Sequence, residues 1–365
     1  MAATVTIAAT YVYFLIFAQF GFLKALESLG TDSTLLRPVL AVMGVAGIGG
    51  GVFMARWFHE NHGRGQVMAG FVVAAAAAGL TWAARTPALF FLCAALTGTG
   101  TGMVTVGLCG LLRREVGGGR LGRCIGIGTG LAYAFCNLPP VFSGAAHTQA
   151  MLGIVAACTG TIAVQMFEQR GPRQLAGGYD YSPRGKTVWT MIFLALVCLD
   201  SAAFYIIQHS PELKQATWAG GPRLFLNAGV HLAAGVVAGL LLDRRWIAGA
   251  VGGAAVLLIA ACVLLEQGAG RYSLEAGLYA AAVSVYSAAL VFYPARSGRP
   301  GLAALVYAVA GWTGSALGIG LAQELHRVPF RLLAASGALI AAMFIVRHLG
   351  RHRPFAAGQK MEDGL

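Results

Sequence analysis

Long apolar runs separated by short polar segments divide the chain into twelve stretches, each about as long as a helix that crosses a membrane. Such a helix needs about 20 mostly apolar residues, and about 17 can suffice. The runs are apolar on all sides rather than along one stripe, which is typical of helices surrounded by lipid. They lack the alternating pattern over about ten residues that marks the strands of a membrane β-barrel. We therefore predict an all-α integral membrane protein with spans at 4–26, 36–57, 66–84, 87–112, 121–143, 147–168, 187–209, 222–242, 246–266, 273–294, 300–323 and 328–348.

The composition supports this interpretation and excludes a soluble domain. Hydrophobic residues make up 57% of the chain and charged residues 11%, whereas soluble domains have about 45–50% and about 25%. With the N-terminus placed in the cytoplasm, eighteen of the 26 Lys and Arg fall in cytoplasmic loops and the C-terminal tail. The positive-inside rule predicts this distribution, so the net charge of +12 reflects topology and no nucleic-acid partner. We expect a multi-pass protein of the cytoplasmic (inner) membrane, in contact with the lipid bilayer, with both termini cytoplasmic.

The longest internal polar stretch, residues 168–187, lies midway along the chain with six spans on each side. Its Gly, Pro and charged residues are typical of a linker between domains. We predict an N-terminal six-helix bundle at 1–167, a cytoplasmic linker at 168–187, a C-terminal six-helix bundle at 188–348 and a cytoplasmic tail at 349–365. Two halves with the same orientation form a parallel repeat, in which substrate sites lie near the membrane midplane between the halves.

A short motif led by glycine recurs after spans 2 and 8, which are equivalent positions in the two halves. The first copy is Gly51-Val-Phe-Met-Ala55-Arg56, followed by Gly63-Arg64, and the second is Gly239-Leu-Leu-Leu-Asp243-Arg244. Together with the twelve spans, the cytoplasmic N-terminus and the polar linker, this motif resembles the major facilitator superfamily over essentially the whole chain. Span 5 is similar to the glycine-rich fifth helix of that family through Gly126, Gly128, Gly130 and the pair Pro139-Pro140.

The resemblance implies two pseudo-symmetric six-helix bundles and a secondary transporter. It also implies that Asp243 and Arg244 belong to a latch between neighbouring helices on the cytoplasmic face, so we assign both a gating role. The first copy of the motif departs from the family because Ala55 stands where Asp is expected. Span 4 has no intramembrane Arg, and span 5 lacks the full Gly-Pro-x-x-Gly-Gly motif of drug/proton antiporters. Neither the substrate nor a coupling ion is therefore indicated.

Asp200, near the middle of span 7, is an acidic residue placed well inside a span. An ionisable group at that depth is costly and usually faces a cavity or a partner. One interpretation is pairing with a neighbouring helix. The other is substrate or cation binding in the cavity that the resemblance places among spans 1, 4, 7 and 10. We predict the second, with Lys24 of span 1 as partner and gate, about one helical turn (roughly 5 Å) external to Asp200.

Three further polar residues are assigned to the cavity. Gln19 lies in the middle of span 1, while Asn227 and His231 of span 8 are four residues apart and share one face. The alternatives are an interhelical hydrogen bond for Gln19 and a packed polar contact for the span 8 pair. In span 10, one face carries Glu275, Tyr279 and Tyr286. The alternative interpretation of that face is aromatic packing.

Metal binding and catalysis find little support in the sequence. The seven Cys stand singly, without a C-x-x-C pair, and no P-loop, H-E-x-x-H or Ser/His/Asp arrangement occurs. Cys198, Met191, His209 and His231 offer ligands that suit copper, but their spacing is not specific to a metal site. We therefore predict no metal-binding residues, no cofactor and no enzymatic activity, with copper transport as an alternative.

The leading prediction is a secondary transporter that moves a small molecule or an ion by alternating access. The rival is a non-transporting membrane subunit or assembly factor that uses the same fold to dock a membrane-protein partner. A polar central cavity lined by Gln19 and Asp200 favours transport, whereas a centre packed with apolar side chains favours a scaffold.

Overall fold

The computed structural model describes residues 1–28, 33–116, 119–167, 181–218, 220–267, 272–325 and 330–351, and contains no strand within them. Twelve helices in this part of the chain correspond to the twelve predicted spans. They are α1 (Ala2–Glu27), α2 (Ser33–Trp57), α3 (Gly63–Ala83), α4 (Pro87–Glu115), α5 (Leu121–Cys136), α6 (Ala146–Gln165), α7 (Pro183–His209), α8 (Gly221–Asp243), α9 (Ile247–Gln267), α10 (Tyr272–Ser297), α11 (Pro300–Glu324) and α12 (Phe330–Arg351). The all-α membrane fold predicted from the sequence is confirmed.

Eleven of these helices are long and apolar enough to cross a membrane, and α5 is a shorter apolar helix. It ends at Cys136 because Pro139 and Pro140 cannot continue its hydrogen bonds, and the chain resumes as a short helix, Pro139–Phe142. A second short helix, Pro211–Trp218, lies between α7 and α8 and was not predicted. Its residues are more polar than those of the spans, which is why no apolar run marked it.

The predicted linker and tail are shorter in the structure. α7 begins at Pro183 rather than 187, because the Ser182 side chain accepts a hydrogen bond from Gly185 N at 3.1 Å and Pro183 occupies the first turn. α12 continues to Arg351, two residues beyond the predicted start of the tail. Residues 168–180 and 352–365 lie outside the described residues, and the bundle boundaries remain a prediction.

Helix pairings in the first half of the chain recur six helices later. α2 and α3 both pack against α4, while α1 packs against α5 and α6. In the second half α8 and α9 both pack against α10, while α7 packs against α11 and α12. The recurrence is what two six-helix bundles of one topology produce. We call α1–α6 the N-terminal set and α7–α12 the C-terminal set.

Glycines let several of these helices approach until their backbones touch. A Cβ atom on Gly102 of α4 would lie 2.1 Å from the carbonyl oxygen of Gly47 on α2, within the N-terminal set. Between the sets, a Cβ atom on Gly126 of α5 would lie 2.2 Å from the carbonyl oxygen of Gly235 on α8. Small residues are the usual means of close helix packing in membranes. We call the contact between α5 and α8 the α5–α8 seam.

The outer surface is apolar where it would face lipid. Val45, Val72, Phe225, Val256 and Ile345 are each more than half exposed although they are large and apolar. Such exposure is unfavourable in water and favourable in a bilayer. The chain is therefore a multi-pass integral membrane protein. Its sides are called here the predicted cytoplasmic side, where Ala2 lies, and the predicted external side.

Candidate functional site

Asp200 of α7 is held by two tyrosines of α10. The Tyr279 hydroxyl donates to Oδ1 at 2.5 Å, and the Tyr286 hydroxyl donates to Oδ2. Because the tyrosines are seven residues apart, two helical turns, they lie on one face of α10 and bracket the carboxylate. Both tyrosine side chains are buried, whereas Asp200 is partly exposed. The carboxylate thus has both oxygens hydrogen-bonded.

Further contacts near the same level join the N-terminal set to the C-terminal set. The Tyr133 hydroxyl of α5 lies 3.1 Å from Ser287 Oγ of α10, and its ring stacks on His231 of α8 with centroids 4.8 Å apart. His231 Nδ1 lies 2.8 Å from Ser284 Oγ. Tyr11 of α1 donates to the carbonyl oxygen of Ser287 at 3.4 Å. We call the whole group the central cluster: Tyr11, Tyr133, Asp200, His231, Tyr279, Ser284, Tyr286 and Ser287.

Four aromatic rings form a closed circuit between the central cluster and the predicted external side. Phe20 of α1 lies 5.4 Å from Phe142 and 5.6 Å from Phe204 of α7, measured between ring centroids. Trp218 completes the circuit at 6.0 Å from Phe142 and 5.5 Å from Phe204. These distances are typical of interacting aromatic pairs. The four residues, two from each set, are called the aromatic lid. Trp218 also lies 6.4 Å from Tyr279, so the lid contacts the central cluster.

Polar side chains hold the two short helices that carry lid residues. Lys24 Nζ donates to the carbonyl oxygens of Phe142 at 3.3 Å and Gly144 at 3.0 Å. Asn227 Nδ2 donates to the carbonyl oxygen of Thr217 at 3.0 Å, next to Trp218. The last carbonyls of a helix have no partner within it, so side-chain donors there fix its position. Lys24 and Asn227 thus tether the lid from opposite sets.

On the predicted cytoplasmic side, Asp243 at the end of α8 caps the start of α5. Its Oδ1 accepts from Gly122 N at 2.7 Å, and its Oδ2 accepts from Arg123 N at 3.2 Å and Arg123 Nε at 2.8 Å. A carboxylate at a helix N-terminus satisfies free N–H groups and the helix dipole together. Asp243 therefore fastens the α5–α8 seam across the two sets rather than within the α8–α9 hairpin.

The α2–α11 contact also joins the sets. Near the predicted external side Arg37 and Glu324 form an exposed ion pair at 3.1 Å. Deeper in the bundle the Trp312 ring lies against Gly47, where a Cβ atom would come within 2.3 Å of it. The two sets therefore touch on both sides of the central cluster.

Comparison with known proteins identifies the fold. No family model and no curated protein matches the sequence. Solved structures do match. The proton:xylose symporter XylE has a TM-score of 0.66 at 12% identity over 95% of this chain and 94% of its own. FucP, in an outward conformation, has a TM-score of 0.64 at 12% identity over 95% of this chain and 97% of its own. The human organic anion transporter MFSD10 (TETRAN) has 0.58 at 14% identity over 94% and 97%.

This chain has the fold of the major facilitator superfamily. The resemblance stated from the motifs is thereby confirmed for the fold, and the low identities carry no information about substrate. The two copies of the motif differ at one position in what they can do. Ala55 cannot cap a helix, whereas Asp243 in the second copy does so at α5.

The predicted site residues lie at different places in this fold. Asp200 and His231 belong to the central cluster, whereas Asn227 is buried and donates to the carbonyl oxygen of Thr217, and its role in the cavity stays a prediction. The predicted ion pair of Lys24 with Asp200 is not formed in this structure. Its ammonium instead binds the two carbonyls that the break after α5 leaves free.

The predicted roles of Gln19 and Arg244 stay predictions, because none of the contacts described supports them. Gln19 is partly buried in the π-helical segment Tyr13–Gly21 of α1, and its amide makes none of the hydrogen bonds described. Arg244 is exposed after the end of α8, while Arg123 supplies the cation that pairs with Asp243. No group of three or more His, Cys, Asp and Glu that could hold a metal ion occurs in the described part of the chain.

Sequence reasoning missed several residues of the site. Tyr11, Tyr133 and three lid aromatics (Phe20, Phe142 and Phe204) lie in predicted spans, where aromatic side chains are common. Trp218 lies between predicted spans 7 and 8, where no helix was predicted. Ser284 and Ser287 carried a usable signal, since two hydroxyls one turn apart in the middle of a span mark a polar face. Tyr279 and Tyr286 were placed on one face, but only the structure showed that both hydroxyls reach Asp200.

Proposed function

We propose that this protein is a secondary transporter that moves a small solute across the membrane by alternating access, with the central cluster as its binding site. The observation that carries the proposal is a polar cluster built by five helices, α1, α5, α7, α8 and α10, of both sets. A site shared by two bundles opens to one side when the bundles rock in one sense and to the other side when they rock back.

Each side of the cluster has a contact able to open. Toward the predicted external side lies the aromatic lid, which rests on ring contacts between the two sets. Toward the predicted cytoplasmic side lies the Asp243 cap, which rests on hydrogen bonds between α8 and α5. Lys24, Asn227 and Asp243 act as gate residues in this proposal, while Asp200 and His231 contact the solute.

Transport accounts for Asp200 better than a scaffold does. A membrane subunit that only docks a partner needs no ionisable group in its interior, and an Asp at a helix centre costs about 2.5–3.5 kcal/mol on insertion scales. A transporter uses such a group to bind its solute or a coupling ion. No nucleotide-binding motif occurs in the sequence, so a gradient would supply the energy.

The test measures alternation without knowledge of the substrate. Spin labels on Ala41→Cys of α2 and Leu321→Cys of α11 report the predicted external side, and labels on Trp57→Cys and Leu305→Cys report the predicted cytoplasmic side. All four positions are exposed. In a Cys-free background, pulsed dipolar distances in lipid nanodiscs are expected to show two populations in each pair. Conditions that favour the longer distance in one pair should favour the shorter distance in the other.

A pair of spin labels within one set serves as the control for this measurement. Val72→Cys of α3 and Val155→Cys of α6 are exposed and lie in the same set, so their distance should stay single under every condition. One invariant distance in each of the other two pairs, across changes of pH, sodium and membrane potential, would contradict alternating access and favour a scaffold.

A further inference from the structure

Asp200 has no cationic side chain among its partners in the described part of the chain. Its partners are two tyrosine hydroxyls. The ion pairs of the described chain join other residues near the helix ends: Arg37–Glu324, Arg64–Glu115, Arg114–Glu60 and Arg123–Asp243. Lys24 is bound to carbonyl oxygens, and the Nδ1 of His231 to Ser284. None of the described cationic side chains is therefore placed to pair with an ionised Asp200, and a cation from solution could take that position.

The surroundings of this carboxylate are aromatic. Tyr279 and Tyr286 touch it directly, and Phe204 lies four residues further along α7, one turn closer to the predicted external side. Phe204 belongs to the aromatic lid, and the lid residue Trp218 lies against Tyr279. A compartment with one carboxylate and several ring faces is the arrangement by which proteins recognise alkylammonium groups.

We propose that an organic cation of the alkylammonium class binds between Asp200 and the aromatic lid. Asp200 supplies the counter-charge, and Phe204 and Trp218 supply ring faces for the N-alkyl groups. The proposal rests on the proposed function, because it names the class of solute that the central cluster takes.

Two other ligands of the carboxylate, a metal ion and a proton, fit less well. A metal ion requires several oxygen or nitrogen ligands, and the described residues offer one carboxylate whose oxygens already accept hydrogen bonds. A bound proton would neutralise the carboxylate and give the ring faces around it no ligand. An alkylammonium group needs one counter-charge and ring faces around its alkyl groups, and Asp200 and the neighbouring aromatic residues supply both.

The experiment measures binding to the purified full-length protein in nanodiscs by isothermal calorimetry. The probes are tetramethylammonium, choline and benzyltrimethylammonium, each beside its neutral carbon isostere, such as 3,3-dimethyl-1-butanol for choline. At least one cation is expected to bind at least tenfold more tightly than its isostere. Asp200→Asn should remove that preference, whereas Glu60→Gln, the same loss of charge at an exposed position in the turn between α2 and α3, should leave it unchanged.

A second variant keeps the test valid if Asp200→Asn does not fold. Trp218→Leu preserves an apolar lid but loses the ring, so it should weaken the cation roughly 2- to 30-fold and the neutral isostere much less. Equal binding of cations and isosteres, binding of none of the three cations, or an unchanged cation preference in folded Asp200→Asn would each overturn the proposal. Since the spin-label distances need no ligand, that failure is distinguishable from a failure of alternating access.

Discussion

An acidic side chain inside a membrane helix requires donors, and Asp200 obtains them from a single face of α10. Tyr279 and Tyr286 each contribute one hydroxyl, and the seven-residue spacing is sufficient to place both at the same carboxylate. Lys24 follows the same logic with opposite sign, because its ammonium binds the carbonyl oxygens of Phe142 and Gly144 at the end of the short helix after α5. At this scale, Asp200 and Lys24 each lie where groups of opposite polarity are available.

The tethering role of Lys24 leads to a test of the lid. Lys24→Met keeps the apolar stem but removes two hydrogen bonds of a charged donor, each worth about 1.5–3 kcal/mol. We expect the lid to open more often, so that Ser287→Cys in the central cluster, in a Cys-free background, reacts about tenfold or more faster with an impermeant thiol reagent. The measurement is the alkylation rate in sealed vesicles with the predicted external side outward.

Lys214→Met is the matched control for this test. Lys214 lies on the short helix Pro211–Trp218, and its side chain makes none of the hydrogen bonds described. Its loss should leave the alkylation rate unchanged. If the two variants accelerate alkylation equally, the effect comes from the loss of surface charge. If Lys24→Met leaves the alkylation rate unchanged, Lys24 does not hold the lid closed.

Whole helices meet across the α5–α8 seam through backbone contact. Gly126 and Gly130 of α5 face Gly235 and Gly239 of α8, and Asp243 closes the end of the seam at Gly122. The α2–α11 contact differs, since the Trp312 ring fills it. The two equivalent contacts between the sets therefore differ in kind: backbone meets backbone in the α5–α8 seam, whereas an indole ring meets backbone between α2 and α11.

Alanine substitution on α8 tests the close contact. A Cβ atom on Gly235 would lie 2.5 Å from the carbonyl oxygen of Gly126 and 2.8 Å from Gly130 Cα, so the helices must separate. Gly235→Ala should lower the free energy of unfolding by about 1–3 kcal/mol. Gly229→Ala on the same helix meets nothing within 4 Å and should stabilise by up to about 1 kcal/mol. Thermal unfolding in detergent compares them, and equal effects would contradict the backbone contact.

The orientation of the whole molecule is a prediction from the distribution of Lys and Arg. Single cysteines at Gly178→Cys and Ala356→Cys, both outside the described residues, are expected to be protected from an impermeant thiol reagent in intact cells. Glu212→Cys, at an exposed position of the short helix after α7, should be labelled. If the first two cysteines are labelled and the third is protected, the topology is the inverse of the prediction. The lid would then lie on the cytoplasmic side and the Asp243 cap on the external side.

The sequence by itself determined the membrane fold and most of its helix ends. Twelve apolar runs are sufficient because crossing a bilayer fixes both the length and the polarity of a helix. It also singled out Asp200, since a charge in an apolar run is costly wherever it lies. The short helix Pro211–Trp218 was not predicted, because its sequence is neither long nor apolar.

Only the tertiary structure decided which polar residues meet. Asn227 and His231 share a face of α8 in the sequence, yet one holds the lid at Thr217 and the other joins the central cluster at Ser284. Lys24 and Asp200 look complementary in charge, yet each binds a nearer group of another helix. Partners of this kind depend on how helices far apart in the sequence are packed side by side. Helical periodicity fixes the face on which a residue lies, whereas packing fixes what that face meets.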